Sequence, residues 1–307
     1  MLGSLERDLL PSGVHASAKS GTLLQVDSSP PERPRVVEVL TLALQRDSRI
    51  LQEELTHCQG KLKTQRVHAM RTAIRRLLAA FELACVLGAE PKPRVVRRLI
   101  KLHTGLSPLR DSQVQQRALA RMTGHGADVS ALSAWVHSQE PWLSHEARRC
   151  LANFDAKELQ RGVATVVRQL EATSTSERAR YAAQTAVHGD LARRHLQVES
   201  RRKRALDEPR SLHRLRLALK SYRYGLAAVE SALPAAAHGL SEAVTRLQDQ
   251  LGRAHDAHVL ARVAKSAKKS QRSRGAKRLS RDLEQQSRTA QRAAAEAVNS
   301  AVLDWPL

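Results

Sequence analysis

Two short stretches hold the side chains best suited to chemistry. His68 is followed by Arg71, Arg75 and Arg76, and His213 by Arg216, Lys220 and Arg223. At 3.6 residues per turn, His68, Arg71 and Arg75 share one helix face, and so do His213, Arg216, Lys220 and Arg223. Such a face offers planar guanidinium forks and further N–H donors, a set matched to phosphate oxygens. A divalent cation is a poor fit, because no Cys, Asp or second His stands at ligand spacing and the neighbouring guanidiniums repel it. For either histidine alone, a hydrogen-bonded core residue remains the plainer account. Recurrence of the same basic companions weighs against it. An imidazole changes charge near pH 6.5, so anion binding through His68 and His213 is expected to depend on pH.

A catalytic constellation does not emerge. The chain lacks a Walker-type phosphate loop, a GxSxG elbow and HExxH. Asp111 and Asp256 are isolated carboxylates, whereas a two-metal phosphatase clusters several. They read as structural, each pairing with an Arg of a neighbouring helix or with a backbone N–H at a kink, and His255 joins them in that role. A direct role for the aspartates stays open. No cofactor and no metal site is expected, and the chain reads as a binding protein, not an enzyme.

These residues need helices to hold them, and the composition supplies helices. Ala, Leu and Arg dominate, without alternating Val/Ile/Thr runs. Beside the first basic face runs an apolar stripe of Val67, Met70, Ile74, Leu77, Leu78 and Phe81. Beside the second runs Leu212, Leu215, Leu219, Tyr222 and Leu226. Burying the stripes holds the basic residues at the edge of a packed interface. Helices are expected over 36–58, 65–87 and 93–122, with Pro108 kinking or dividing the third. Further helices follow over 129–153 (capped by Asp128, disturbed near Pro141), 156–172, 177–204, 207–233, 235–266 and on to about 303. Ser176 and Asp207 are the expected caps of the 177–204 and 207–233 helices, with Pro209 in the first turn of the latter. Residues 1–34, rich in Ser, Gly and Pro, read as a flexible leader.

The organisation is a repeat. His68 and His213 stand 145 residues apart, and so do Asp111 and Asp256, within Leu106-Ser-Pro-Leu-Arg-Asp and Leu251-Gly-Arg-Ala-His-Asp. The same offset pairs Arg117 with Arg262 and Lys101 with Arg246. It predicts an all-α fold of two helical halves, 35–173 and 174–307, with Thr173–Ser176 as the break.

Net charge is +21 over 307 residues, which calls for a polyanionic partner. Aromatic residues are 3% of the chain, too few for the stacking platforms on which RNA and single-strand readers depend. Cys58, Cys85 and Cys150 lack zinc spacing and read as reduced thiols of a cytosolic protein. No signal peptide is evident, and no uncharged apolar run reaches the roughly 18 residues of a membrane span.

His-x-x-Arg-x-x-x-Arg/Lys occurring twice, each time followed by Leu-x-x-x-Arg/His-Asp-x-x-Val, resembles the CHAD family, the conserved histidine α-helical domains. The resemblance covers residues 36–303. It implies two four-helix bundles related by a pseudo-twofold axis and a basic groove or pore that binds inorganic polyphosphate. It implies a stand-alone member, because the chain leaves no room for the triphosphate-processing CYTH domain often fused to the family. Carried over, the lining is His68, Arg71, Arg75, Arg76 and Arg110 from the first half, and His213, Arg216, Lys220 and Arg223 from the second. Arg94, Arg97, Arg98 and Lys101 form a further basic cluster, joined by Arg117, Arg246 and Arg262. The expected location is the cytoplasm, in association with polyphosphate granules. Rival readings are a nucleic-acid or nucleoid-associated protein, for which the runs Arg201–Arg204 and Lys268–Arg281 speak, and an enzyme acting on phosphate compounds. Under the polyphosphate reading nucleic acid is a second, weaker polyanionic partner.

Overall fold

The computed structural model describes residues 35–58, 62–122, 126–207, 211–234, 236–271 and 274–303. The expected leader 1–34, Pro209 and the side chains of 268–275 lie outside the described residues.

The fold is all-α, and among the described residues there is no strand. In chain order the helices are α1 (Val36–His57), α2 (Thr64–Val86), α3 (Pro93–Ala120), α4 (Gly126–Ser138), α5 (Glu140–Ala152), α6 (Ala156–Thr173), α7 (Glu177–Asp207), α8 (Leu212–Val229), α9 (Ala236–Gln271) and α10 (Arg274–Ser300), with a 3-10 turn at Glu230–Ala232 after α8. Helix α1 packs on α2, α7 on α8, and α9 on α10. The motif helix α2 lies between α3 and α8, and α8 between α2 and α9. The two basic motifs thus meet on adjacent helices.

What drives this arrangement is the pair of apolar stripes. Val67, Met70, Ile74, Leu77 and Phe81 of α2 are buried, as are Leu212, Leu215, Leu219, Tyr222 and Leu226 of α8. At about 1.5–3 kcal/mol for each large apolar side chain taken from water, either stripe is a major source of cohesion. They join one core that also draws on α1, α3, α6, α7 and α9 and runs on both sides of residues 173–174. A smaller second core joins the end of α3, α4, the C-terminal half of α9 and the start of α10, around Leu119, Leu132, Leu260 and Leu283.

Local chemistry explains several boundaries. Asp155 caps α6 by accepting from the Glu158 amide at 2.9 Å, and Ser176 caps α7 by accepting from that of Ala179 at 3.2 Å. Gly88, with φ 78°, ends α2 in the left-handed region that side chains with a Cβ avoid. Gly105 of α3 lies against Cys150 of α5, where a Cβ would overlap the thiol. All three cysteines are free.

Four expectations need correction. Pro108 does not divide α3, which runs through it; burial of Leu106 and Leu109 on either side offsets the lost N–H and the crowding of the preceding turn by the ring. The expected 129–153 helix is two helices, because Pro141 sits in the first turn of α5, where its missing N–H costs nothing. Asp128 lies inside the first turn of α4 and is not its cap. Asp207 ends α7, and α8 starts only at Leu212, with Ser211 at the capping position.

Candidate functional site

Four helices contribute to one cluster: α2 with His68, Arg71 and Arg75, α3 with His103, Ser107, Arg110 and Asp111, α8 with His213, Arg216 and Lys220, and α9 with His255 and Asp256. Their mutual influence defines it. The charge of Arg216 acts on Asp111, those of Arg110 and Lys220 act on Asp256, and Arg75 acts on Lys220. All of these but Lys220 with Asp256 join helices on opposite sides of the 173–174 boundary.

The α2 cations are fixed in place. Arg75 donates from Nε to His103 Nε2 at 2.9 Å. Arg71 donates to Ser107 Oγ and, at 3.4 Å, to the His103 carbonyl, while the Ser107 hydroxyl itself donates to that carbonyl at 2.8 Å. To accept from a guanidinium, His103 must be neutral, with its proton on Nδ1. Burial, followed by the charges of Arg71, Arg75 and Lys220, pushes its pKa down to about 3. Burial and Arg75 likewise lower Arg71 to about 10, so it stays charged at neutral pH.

The α8 cations are held differently. Among the described residues, Arg216 has a buried Nε without a hydrogen-bond partner, and Arg110 of α3 has a buried Nη1 in the same condition. Lys220 makes neither a hydrogen bond nor an ion pair among the described residues. Burial, then Arg75, Arg216 and Arg71, pull its pKa down to about 7, against the opposing pull of Asp256. Arg223 sets its guanidinium 4.8 Å from the ring centre of Tyr224 and leaves its own Nε buried without a partner.

Asp111 and Asp256 do not form the direct ion pairs or N–H contacts expected of them. Among the described residues neither has a hydrogen bond or an ion pair within 4.0 Å. They act at longer range, as shared counter-charges. Both are open to solvent, yet the surrounding wall withdraws enough water to raise their pKa values above the ordinary carboxylate range; Asp256 is raised further by Asp111. Exposure and desolvation coexist because the wall is concave.

Two concavities flank this face of α9. One, of 380 Å³, is lined by His213, Arg216, His255 and His258 together with Leu212, Leu251, Ala254 and Gln291. The His213 and His255 rings lie 5.7 Å apart there. Burial comes first, then Arg216, His213, Lys220 and His258, in pulling His255 down to about 4. The other concavity, of 410 Å³, has Arg110, Arg117, Arg121, Arg253 and Asp256 in its wall. His68 is exposed, and burial, Arg110, Arg71, Arg75 and Arg117 lower its pKa.

The other basic residues point elsewhere. Arg76 pairs with buried Asp47 of α1 at 3.7 Å. Arg94 pairs with Glu158 of α6 at 3.2 Å, and Arg98 with the same Glu158 and with Asp155 at 3.5 Å. These three fasten helices together. Arg246 pairs with Glu242 along α9 at 3.3 Å. Arg97, Lys101 and Arg262 are exposed. Sequence reasoning passed over His103 and Ser107, although the spacing 103, 107, 111 is a helical stripe that leads directly to Asp111. It also passed over Arg121 and Arg253. No group of three or more His, Cys, Asp or Glu among the described residues could hold a metal ion.

Fold and site together define an all-α protein with a concave cluster of partly desolvated cations. The chain belongs to the CHAD family: the CHAD domain matches residues 42–265. Among solved structures it is similar to the CHAD domain from the plant Ricinus communis, at 19% identity and a TM-score of 0.71, over 88% of this chain and 94% of that one. It is also similar to PptA from Streptomyces chartreusis, at 15% identity and a TM-score of 0.58, over 87% of this chain and 99% of that one. No curated protein sequence matches it. No helix among the described residues is long and apolar enough to cross a membrane.

Proposed function

We propose that the chain binds inorganic polyphosphate in the concave cluster between α2, α3, α8 and α9, and that it binds the polymer without turning it over. The observation that carries this reading is the set of guanidinium donors left without partners among the described residues: Arg110 Nη1 and Arg216 Nε are buried and unsatisfied. A buried charged donor lacking an acceptor costs more than a lost hydrogen bond, so an anion that supplies acceptors is bound with the full gain. Arg71, Arg75, Arg110, Arg117, Arg216 and Lys220 outnumber the two carboxylates nearby, which leaves the face cationic. A chain of repeating phosphates meets such a row of donors with one acceptor group after another. Membership of the family, with the ligand that the sequence resemblance implies, supports the same conclusion. A place in the cytoplasm beside polyphosphate granules follows from that ligand.

Nucleic acid is a weaker competitor under this reading, because no Phe, Tyr or Trp lines either concavity and stacked bases would find no platform. The test is competition between length-defined polyphosphate and duplex DNA of equal total charge. Polyphosphate is expected to displace DNA at low excess, and DNA to leave bound polyphosphate in place. DNA displacing polyphosphate equally well would replace this reading with a general polyanion binder. Phosphate release from the polymer with Mg²⁺ present would show turnover and overturn the non-enzymatic part.

A further inference from the structure

We propose that Lys220 is a modification site for small acyl phosphates, whose phosphoryl end is seated by Arg71, Arg75 and Arg216 while the amine takes the acyl group. The inference rests on the geometry of the cluster, and its first test needs no polyphosphate.

Lys220 differs from the other basic residues of the cluster in its chemistry and its freedom. It is the cluster's only amine. It is half-buried on α8, one turn beyond Arg216. Among the described residues its Nζ has no hydrogen-bond partner, yet it is not among the buried unsatisfied atoms and so keeps an opening to solvent. The charges coupled to its own are those of Arg71 and Arg75 from α2, His103 and Asp111 from α3, Arg216 one turn earlier on its own helix, and His255 and Asp256 from α9. With a pKa of about 7, half of the amine is uncharged at pH 7. An ordinary lysine holds only roughly one part in three thousand in that form.

An uncharged amine is a nucleophile, and the surrounding guanidiniums select its electrophile. In an acyl phosphate the leaving group is phosphate itself, so charge builds on an oxygen that Arg71, Arg75 and Arg216 can stabilise as the bond breaks. The Nζ lone pair attacks the carbonyl carbon and forms the C–N bond. The C–O bond to phosphorus breaks and its electron pair leaves with inorganic phosphate. The proton displaced from nitrogen passes to the departing phosphate or to water. The product is an amide without charge, so a cation disappears from the cluster. If the groove holds polyphosphate as proposed above, the modified protein binds the polymer less tightly.

The experiment treats the full chain with acetyl phosphate at pH 7 and, in parallel, with the uncharged acetyl donor N-acetoxysuccinimide. Site-resolved mass spectrometry then compares Lys220 with exposed Lys101, Lys157 and Lys265. A seated anion raises the amine's pKa again and removes part of the advantage, so the expected acceleration with acetyl phosphate is about tenfold over those lysines and not the thousandfold of the neutral fraction alone. Inorganic phosphate is expected to slow Lys220 with acetyl phosphate and leave N-acetoxysuccinimide unaffected. Arg216→Gln and Arg75→Gln are each expected to lower the ratio of the two rates at Lys220. Lys220 reacting no faster than the exposed lysines overturns the proposal. So does a rate ratio unmoved by phosphate and by both variants, or phospho-lysine in place of acetyl-lysine. Polyphosphate binding is measured afterwards on the acetylated protein. An affinity no lower than that of the unmodified protein would overturn the placement of polyphosphate against Lys220 while leaving the modification site standing.

Discussion

If Lys220 must be charged to hold a polyanion, affinity should fall as pH rises above neutrality, and the interval from pH 7 to pH 9 isolates the effect. In the free protein the Lys220 pKa is about 7, set by burial and by Arg75, Arg216 and Arg71. Phosphates in the groove reverse the local field and raise it, so binding takes up a proton. Affinity is therefore greatest below the free-state pKa and is lost as pH climbs toward the bound-state pKa. A lysine forced to be fully protonated in the complex would cost roughly fiftyfold over these two pH units, the ratio of its charged fractions in the free protein. The ammonium retains some solvent contact, screening reduces the shift, and a loss of about tenfold is expected. The neighbours contribute little here. His68, His103 and His255 all have lowered pKa values and are already neutral, and Arg71, at about 10, begins to titrate only at the upper end. The assay is titration of a length-defined polyphosphate against the wild type and Lys220→Arg at fixed ionic strength. The arginine variant keeps its charge and should hold its affinity. Equal losses in the two proteins, or no loss in the wild type, would refute the reasoning.

Three further outcomes are expected. Arg216→Ala and Arg110→Ala should each weaken polyphosphate binding at least about tenfold with helical circular dichroism intact; Arg98→Ala, which leaves Glu158 with Arg94 alone, should instead cost about 1 kcal/mol in urea unfolding and leave affinity within about twofold. Polyphosphate affinity should fall with a steep log–log slope between roughly 50 and 200 mM salt, as it does for proteins that displace counterions from DNA phosphates, and Arg216→Ala should make that slope shallower by about one unit. Stability should decline on acidification from pH 6.5 toward 4, because His103 (about 3) and His255 (about 4) remain neutral in the fold while an unfolded chain protonates them; urea unfolding of His103→Gln should show a shallower decline.

Much of the architecture was legible in the order of residues. Composition alone specified helices. The apolar stripes beside His68 and His213 marked the faces that became buried, and the capping of α7 by Ser176 could be read directly. Boundaries were least legible where proline was involved. Pro108 and Pro141 are the same residue type, yet one lies inside a continuous helix and the other opens a new one. Buried Leu106 and Leu109 hold the chain of α3 on both sides of its proline, and that is a property of the packed core.

For the site, the sequence determined which side chains share a face of one helix, because 3.6 residues per turn fixes this locally. Arg71 with Arg75, Arg216 with Lys220, and the likeness between the two stretches all follow from spacing. Only the tertiary structure decided what each face meets. Arg76, Arg94 and Arg98 are as basic as Arg71, but Asp47, Asp155 and Glu158 from other helices engage them as ion pairs. His103 lies outside both motifs and Ser107 is only a variable position within one, yet they orient the cations of α2 because α3 packs beside it. Asp111 and Asp256 were expected to pair directly with an Arg of a neighbouring helix or with a backbone N–H, and instead share the field of cations from several helices. Charge acts through space and helical periodicity acts along the chain, so spacing can nominate the cations of a groove but only packing selects those left without partners.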